Sequence, residues 1–161
     1  MDENGFWDIV QRAHDASSGD MDRKCDALRQ ELSKLSKGDA LDFAGHFDAM
    51  MGKAFSWPLW GAAYVVNGGC SDDSFIDFRA ALISRGRVAY ERALLNPDSL
   101  AGEDFDEEDW FYEGYQYAVT DGVKAVAGQL PLRSMPAQPS GTEWQEDRVY
   151  DLFPKLSAKF G

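Results

Sequence analysis

Apolar residues recur along this chain at three- and four-residue intervals, and the strict alternation of a half-buried strand is nearly absent. Phe6, Ile9, Val10 and Ala13 mark the inner face of a first helix, with Asp2 or Asn4 placed to cap it. Ser17-Ser18-Gly19 breaks the pattern, and Asp20 can cap a second helix. Its Met21, Cys25, Leu28, Leu32 and Leu35 form a narrow stripe between charged faces, which describes a peripheral helix packed along one seam. Lys37-Gly38-Asp39 reads as the next break, with Asp39 capping a third helix that turns Ala40, Ala44, Phe47, Met51 and Phe55 inward.

The middle of the chain is more apolar. Pro58 pushes Trp57 out of the α region and takes the first position of a short helix. Leu59 to Val66 is apolar all round, as expected of a helix buried in the fold, and Asn67-Gly68-Gly69 ends it. Ser71-Asp72-Asp73 opens a long helix with Phe75, Phe78, Leu82 and Ala89 inside, stopping near Asn96-Pro97. An acidic stretch, Glu103 to Asp109, leads into a sixth helix carrying Trp110, Phe111, Tyr115, Tyr117, Ala118 and Val126. Pro131, Pro136, Pro139 and Gly141 mark an irregular crossing segment. Thr142 or Asp147 then starts a short last helix through Tyr150, Leu152 and Phe153, which Pro154 bends or ends. The sum is an all-α single-domain bundle of about six to seven helices. Residues 1–130 form the helical domain, and 131–161 form a tail whose short helix packs on it.

Composition narrows the class. With 161 residues, 44% hydrophobic and 13% aromatic, the chain can fold as one domain and is too apolar for a disordered one. Its net charge of −12 opposes general binding to nucleic acid or to anionic membranes, where attraction to phosphate is the main term. The first ten residues, Met1 to Val10, lack a basic start and an apolar core, and no apolar run approaches the roughly 20 residues of a membrane helix. A cytoplasmic protein is expected. The two cysteines, Cys25 and Cys70, belong to no metal-binding cluster, so no metal and no cofactor is expected.

The candidates for chemistry centre on Asn67 to Ser74. Cys70 precedes a helix N-terminus, where a thiolate is favoured. Asp72 and Asp73 suit base or ligand roles, although capping by Ser71 or Asp72 with Asp73 in the first turn accounts for them structurally. His46 is the acid/base candidate, against a half-buried histidine bonded to a backbone carbonyl or carboxylate. Arg79 is the candidate anion anchor; if buried, it calls for a carboxylate such as Asp42, Asp48 or Glu113. Arg79, Arg85, Arg87 and Arg92 are expected to pair with Asp104, Asp106, Glu107, Glu108 and Asp109. Glu107, Glu108 and Glu113 lack the Glu-x-x-His spacing of a carboxylate metal site.

Trp57-Pro58-Leu59-Trp60-Gly61-Ala62-Ala63-Tyr64-Val65-Val66-Asn67-Gly68-Gly69-Cys70-Ser71-Asp72-Asp73, with Phe75, Phe78-Arg79, Leu82-Ile83 and Gly86-Arg87, resembles a bacterial family catalogued as a domain of unknown function (number 4240). Phe6-Trp7 and Asn96-Pro97-Asp98 extend the resemblance, which covers about residues 4 to 128. It implies a compact helical protein and names no catalytic residues. The functional expectation is a non-catalytic acidic interaction module, a partner-binding regulator or toxin-neutralising protein whose partner is a basic protein. The alternative is an enzyme or small-ligand binder sited at the Gly69–Asp73 loop and Arg79.

Overall fold

The structure, a computed structural model, describes residues 1–161. Side-chain caps set most helix starts. Asp2 accepts a hydrogen bond from Gly5 N at 2.8 Å to open α1 (Glu3–Ala16), and Asp20 accepts one from Arg23 N at 3.1 Å to open α2 (Met21–Ser33). The third helix begins before Asp39: Ser36 Oγ accepts from Asp39 N at 3.1 Å and caps α3 (Lys37–Lys53), leaving Asp39 in the first turn. Ser56 likewise caps α4 (Trp57–Asn67), so Trp57 is its first residue and Pro58 its second. The helix N-terminus lacks intrahelical partners for its first amides, so Pro58 loses no bond at either position.

The single long helix expected over 72–95 is two. α5 (Asp72–Ser84) and α6 (Arg87–Leu95) meet at Gly86, whose φ of +101° is open to glycine and rarely to other residues. A Cβ there would also lie 2.6 Å from Gln11 Oε1. A 3-10 turn, Pro97–Gly102, follows. The expected sixth helix is divided as well, into α7 (Glu107–Trp110) and α8 (Gly114–Ala127), with Tyr112 in the gap donating its hydroxyl to Asp22. Pro154 ends α9 (Val149–Leu152) and starts a further helix, α10 (Pro154–Phe160), as proline can in a first turn.

The fold is all-α. α2 packs against α1 and α8, and α8 also covers α3. One continuous core runs from Phe6 to Leu156 and includes Val149 and Phe153 of the tail. The reason lies on α4: one face of this apolar helix meets the inner helices through Leu59, Ala62 and Val66, and the other needs a cover. Gly61 allows that cover to come close, since a Cβ there would lie 2.8 Å from Phe153 and 2.9 Å from Trp144 Nε1. Trp144 Nε1 donates to Trp57 O at 2.7 Å. Buried Asp98 accepts from Lys155 N and Leu156 N at 3.1 and 2.9 Å, capping α10 from the 3-10 turn.

Candidate functional site

The Gly69–Asp73 loop is a helix junction. Gly68, at φ +68°, ends α4, and Asn67 Nδ2 donates to Gly69 O at 2.9 Å. Ser71 Oγ accepts from Ser74 N at 3.2 Å and caps α5, so Asp72 and Asp73 lie exposed in the first turn, complementing the helix dipole. Cys70 does not become the reactive thiolate that its position suggests. Burial pushes its thiol up to about 12, and Sγ donates to Ser71 O at 3.6 Å. Its carbonyl accepts from Trp60 Nε1 at 3.0 Å. His46 is placed elsewhere: on α3, its Nε2 is 3.1 Å from Met1 O and its ring lies 5.9 Å from that of Phe6. The structure does not bring His46 and Cys70 together.

Arg79 is the member of the set that the fold treats unusually. It is buried, with 5% exposure, yet none of its expected carboxylate partners reaches it. Asp42 bonds the Met1 amino group, Asp48 takes Arg133, and Glu113 pairs with no cation. Instead Nη1 donates to Met51 O at 2.8 Å and Nε to Phe75 O at 3.3 Å. The guanidinium lies 4.8 Å from the ring centroids of both Phe55 and Phe75. Burial, and after it the charge of Arg133, lowers its pKa to about 10, so it stays charged at neutral pH.

Around Arg79 two clefts adjoin. One, of about 450 Å³, is walled by Phe55, Trp57, Trp60 and Ile76, with Asp72 at its edge and Pro136 to Pro139 across it. The other, of about 210 Å³, shares Phe55, Ile76, Arg79 and Pro136 and adds Gln116 and Arg133. Trp57 and Trp60 stack with centroids 5.4 Å apart, and Trp60 stacks on Phe75 at 5.1 Å. Sequence patterning marked Arg79 and Asp72 but not the indoles or Arg133. The proline-rich crossing was the one visible signal, and its path over α4 and α5 is a tertiary fact. A larger groove of about 800 Å³ lies between Leu95, Pro97, Trp144 and Leu152.

Beyond Glu103, the acidic stretch is left without the basic partners expected for it. Arg85 pairs with Glu103 at 2.7 Å, and Arg87 with Glu91 and Glu3 at 2.9 and 3.3 Å. Asp104, Asp106, Glu107 and Glu108 are exposed and join no ion pair. Neighbouring Asp77 is pushed up to about 6, first by burial and then by the charges of Glu113 and Asp73, while Gln116 donates to it at 3.0 Å. No three His, Cys, Asp or Glu side chains are grouped to hold a metal ion, and no helix is long and apolar enough to cross a membrane.

A family model described as "Protein of unknown function (DUF4240)" matches residues 1–124. No curated protein and no solved structure matches the chain.

Proposed function

The chain belongs to the DUF4240 family, and on that premise we propose that it is a non-catalytic acidic interaction module whose partner is a basic protein, as for a regulator or a toxin-neutralising protein. The observation that carries this reading is the uncompensated acid around α7 and the start of α5. Asp104, Asp106, Glu107, Glu108, Glu113, Asp72 and Asp73 are exposed and free of ion pairs, while Arg85 and Arg87 pair with Glu103, Glu91 and Glu3, and Arg92 joins no ion pair. Carboxylates held this way keep their field. They speed encounter with a basic surface and lend the association a strong salt dependence. The competing enzyme reading has no nucleophile–base pair in its favour, because the Cys70 thiol is held neutral and His46 is bonded elsewhere.

The test is a pull-down from host lysate at low and high salt, run beside a variant with Asp104→Asn, Glu107→Gln, Glu108→Gln and Glu113→Gln. A basic protein should be retained by the parent at low salt, released at high salt and lost by the variant. Recovery of nothing at either ionic strength, or equal recovery by the variant, counts against the reading.

A further inference from the structure

An arginine buried largely among apolar groups carries an energetic cost unless acceptors answer its charge. In Arg79 the answer is incomplete. Two of the five N–H donors of a guanidinium reach backbone carbonyls, those of Met51 and Phe75, and Nη2 has no protein partner. Phe55 and Phe75 hold the group in place and leave its edge towards the clefts as the open direction.

We propose that Arg79 anchors a binding cleft for a small aromatic monocarboxylate. The carboxylate is received by the free edge of Arg79, in the planar two-point geometry that guanidinium offers to carboxylate. The ring lies in the 450 Å³ cleft beside Trp57 and the edge of Trp60, whose faces are taken by Trp57 and Phe75, and the cleft volume is within the usual range of about 300–1,000 Å³ for small-molecule sites. The head group carries a single charge because the local positive charge is modest. Arg133 in the adjoining pocket already spends Nε and Nη2 on Asp48 at 3.1 and 3.0 Å, and Asp72 stands at the cleft edge. A dianion such as a phosphate monoester meets too little countercharge there. Residues 134–139 supply a roof that can yield to a ring. The strap is fixed at Arg133 through Asp48, and at Ser140 through Phe55 O at 3.0 Å and Trp57 N at 2.8 Å, with no hydrogen bond between these ends.

The cleft shares only Asp72 with the acidic patch and is otherwise built from different residues, and the naphthoate titration needs no basic partner, so its outcome is read independently of that proposal. The test is titration of the full chain with 2-naphthoate, 2-naphthamide and inorganic phosphate, read from the indole N–H cross-peaks in a nitrogen–proton correlation spectrum. The indole signals of Trp57 and Trp60 should shift saturably with 2-naphthoate, and those of core Trp7 and Trp110 should not. The uncharged amide should bind about tenfold more weakly or worse, as should Arg79→Lys, which keeps the charge and loses the fork. Should that variant fail to fold, exposed Arg133→Gln should still weaken 2-naphthoate by about threefold. Equal binding of acid and amide, tighter binding of phosphate, or no indole shift up to about 10 mM 2-naphthoate overturns the proposal.

Discussion

Two cations are buried in this acidic protein without a carboxylate in contact, and their surroundings differ in one respect. Lys24 on α2, 1% exposed, donates to Ser84 Oγ at 3.2 Å and lies 5.1 Å from the Phe105 ring centroid, in a closed interior beside Arg85. Arg79 on α5 is held by carbonyls and rings in much the same manner but borders open clefts. Burial, then the charge of Arg85, brings Lys24 down to about 8, within reach of ordinary pH, whereas Arg79 at about 10 remains a cation. A sealed lysine can relieve its cost by losing a proton. An arginine cannot, so the fold must supply acceptors and leave the remaining edge something to meet.

The sharpest way to break this contrast is to remove each charge in turn. Arg79→Met should abolish 2-naphthoate binding and destabilise the fold by about 2–3 kcal/mol in urea unfolding, because Met51 O and Phe75 O lose charged donors. Lys24→Met should act in the opposite direction, raising stability at pH 7 by about 2 kcal/mol, since an apolar chain of similar length fills the same closed space. Equal destabilisation by both variants would erase the distinction.

The pH dependence of Lys24 follows in size. Its folded pKa lies below its unfolded value, so the penalty for burying the charge is fully present below about pH 8 and lifts as pH rises towards the unfolded value. Relative to Lys24→Met, which shares the opposing loss as the Cys70 thiol ionises in the unfolded chain, the parent should gain on the order of 1–2 kcal/mol between pH 8 and 9.5. Beyond about pH 10 the trend should reverse, because burial raises the pKa of Tyr90 and Tyr115 and their unfolded forms ionise first. The smallest effect belongs to Asp77. Its carboxyl is raised to about 6, so its preference for the neutral form favours folding at low pH and is lost as pH rises through 6. Asp77→Asn should add less than about 1 kcal/mol at pH 7, given its partial exposure, and nothing at pH 4.

The elements that could be read in the chain are those set by local rules. Asp2 and Asp20 cap as their positions suggest, Gly68 closes α4 with a positive φ, and Ser71 caps α5 with both aspartates in its first turn. The misreadings share a cause. Gly86 inside an apolar pattern did not announce a break, because the φ of +101° that calls for glycine there belongs to the way α5 and α6 pack against each other, which neighbouring residue types do not reveal. Ionic partners were misassigned for the same reason: nearness along the chain favoured Asp104 to Asp109 for the basic side chains of α5 and α6, whereas Arg87 reached back to Glu3 on α1. Of the candidate site, Arg79, Asp72, Cys70 and His46 were visible by residue type, but that Cys70 and His46 would lie apart, bonded to Ser71 O and Met1 O, was not.

By itself the sequence determined the helical class, most helix ends, the acid excess and the family, because periodicity, capping and composition act over one or two turns. Tertiary structure decided that the tail would close over α4, that Asp98 would cap a helix 56 residues further on, and that Arg79 would be left facing a cleft in place of a carboxylate. Burial and countercharge depend on which surfaces meet, and chain order leaves that choice to packing.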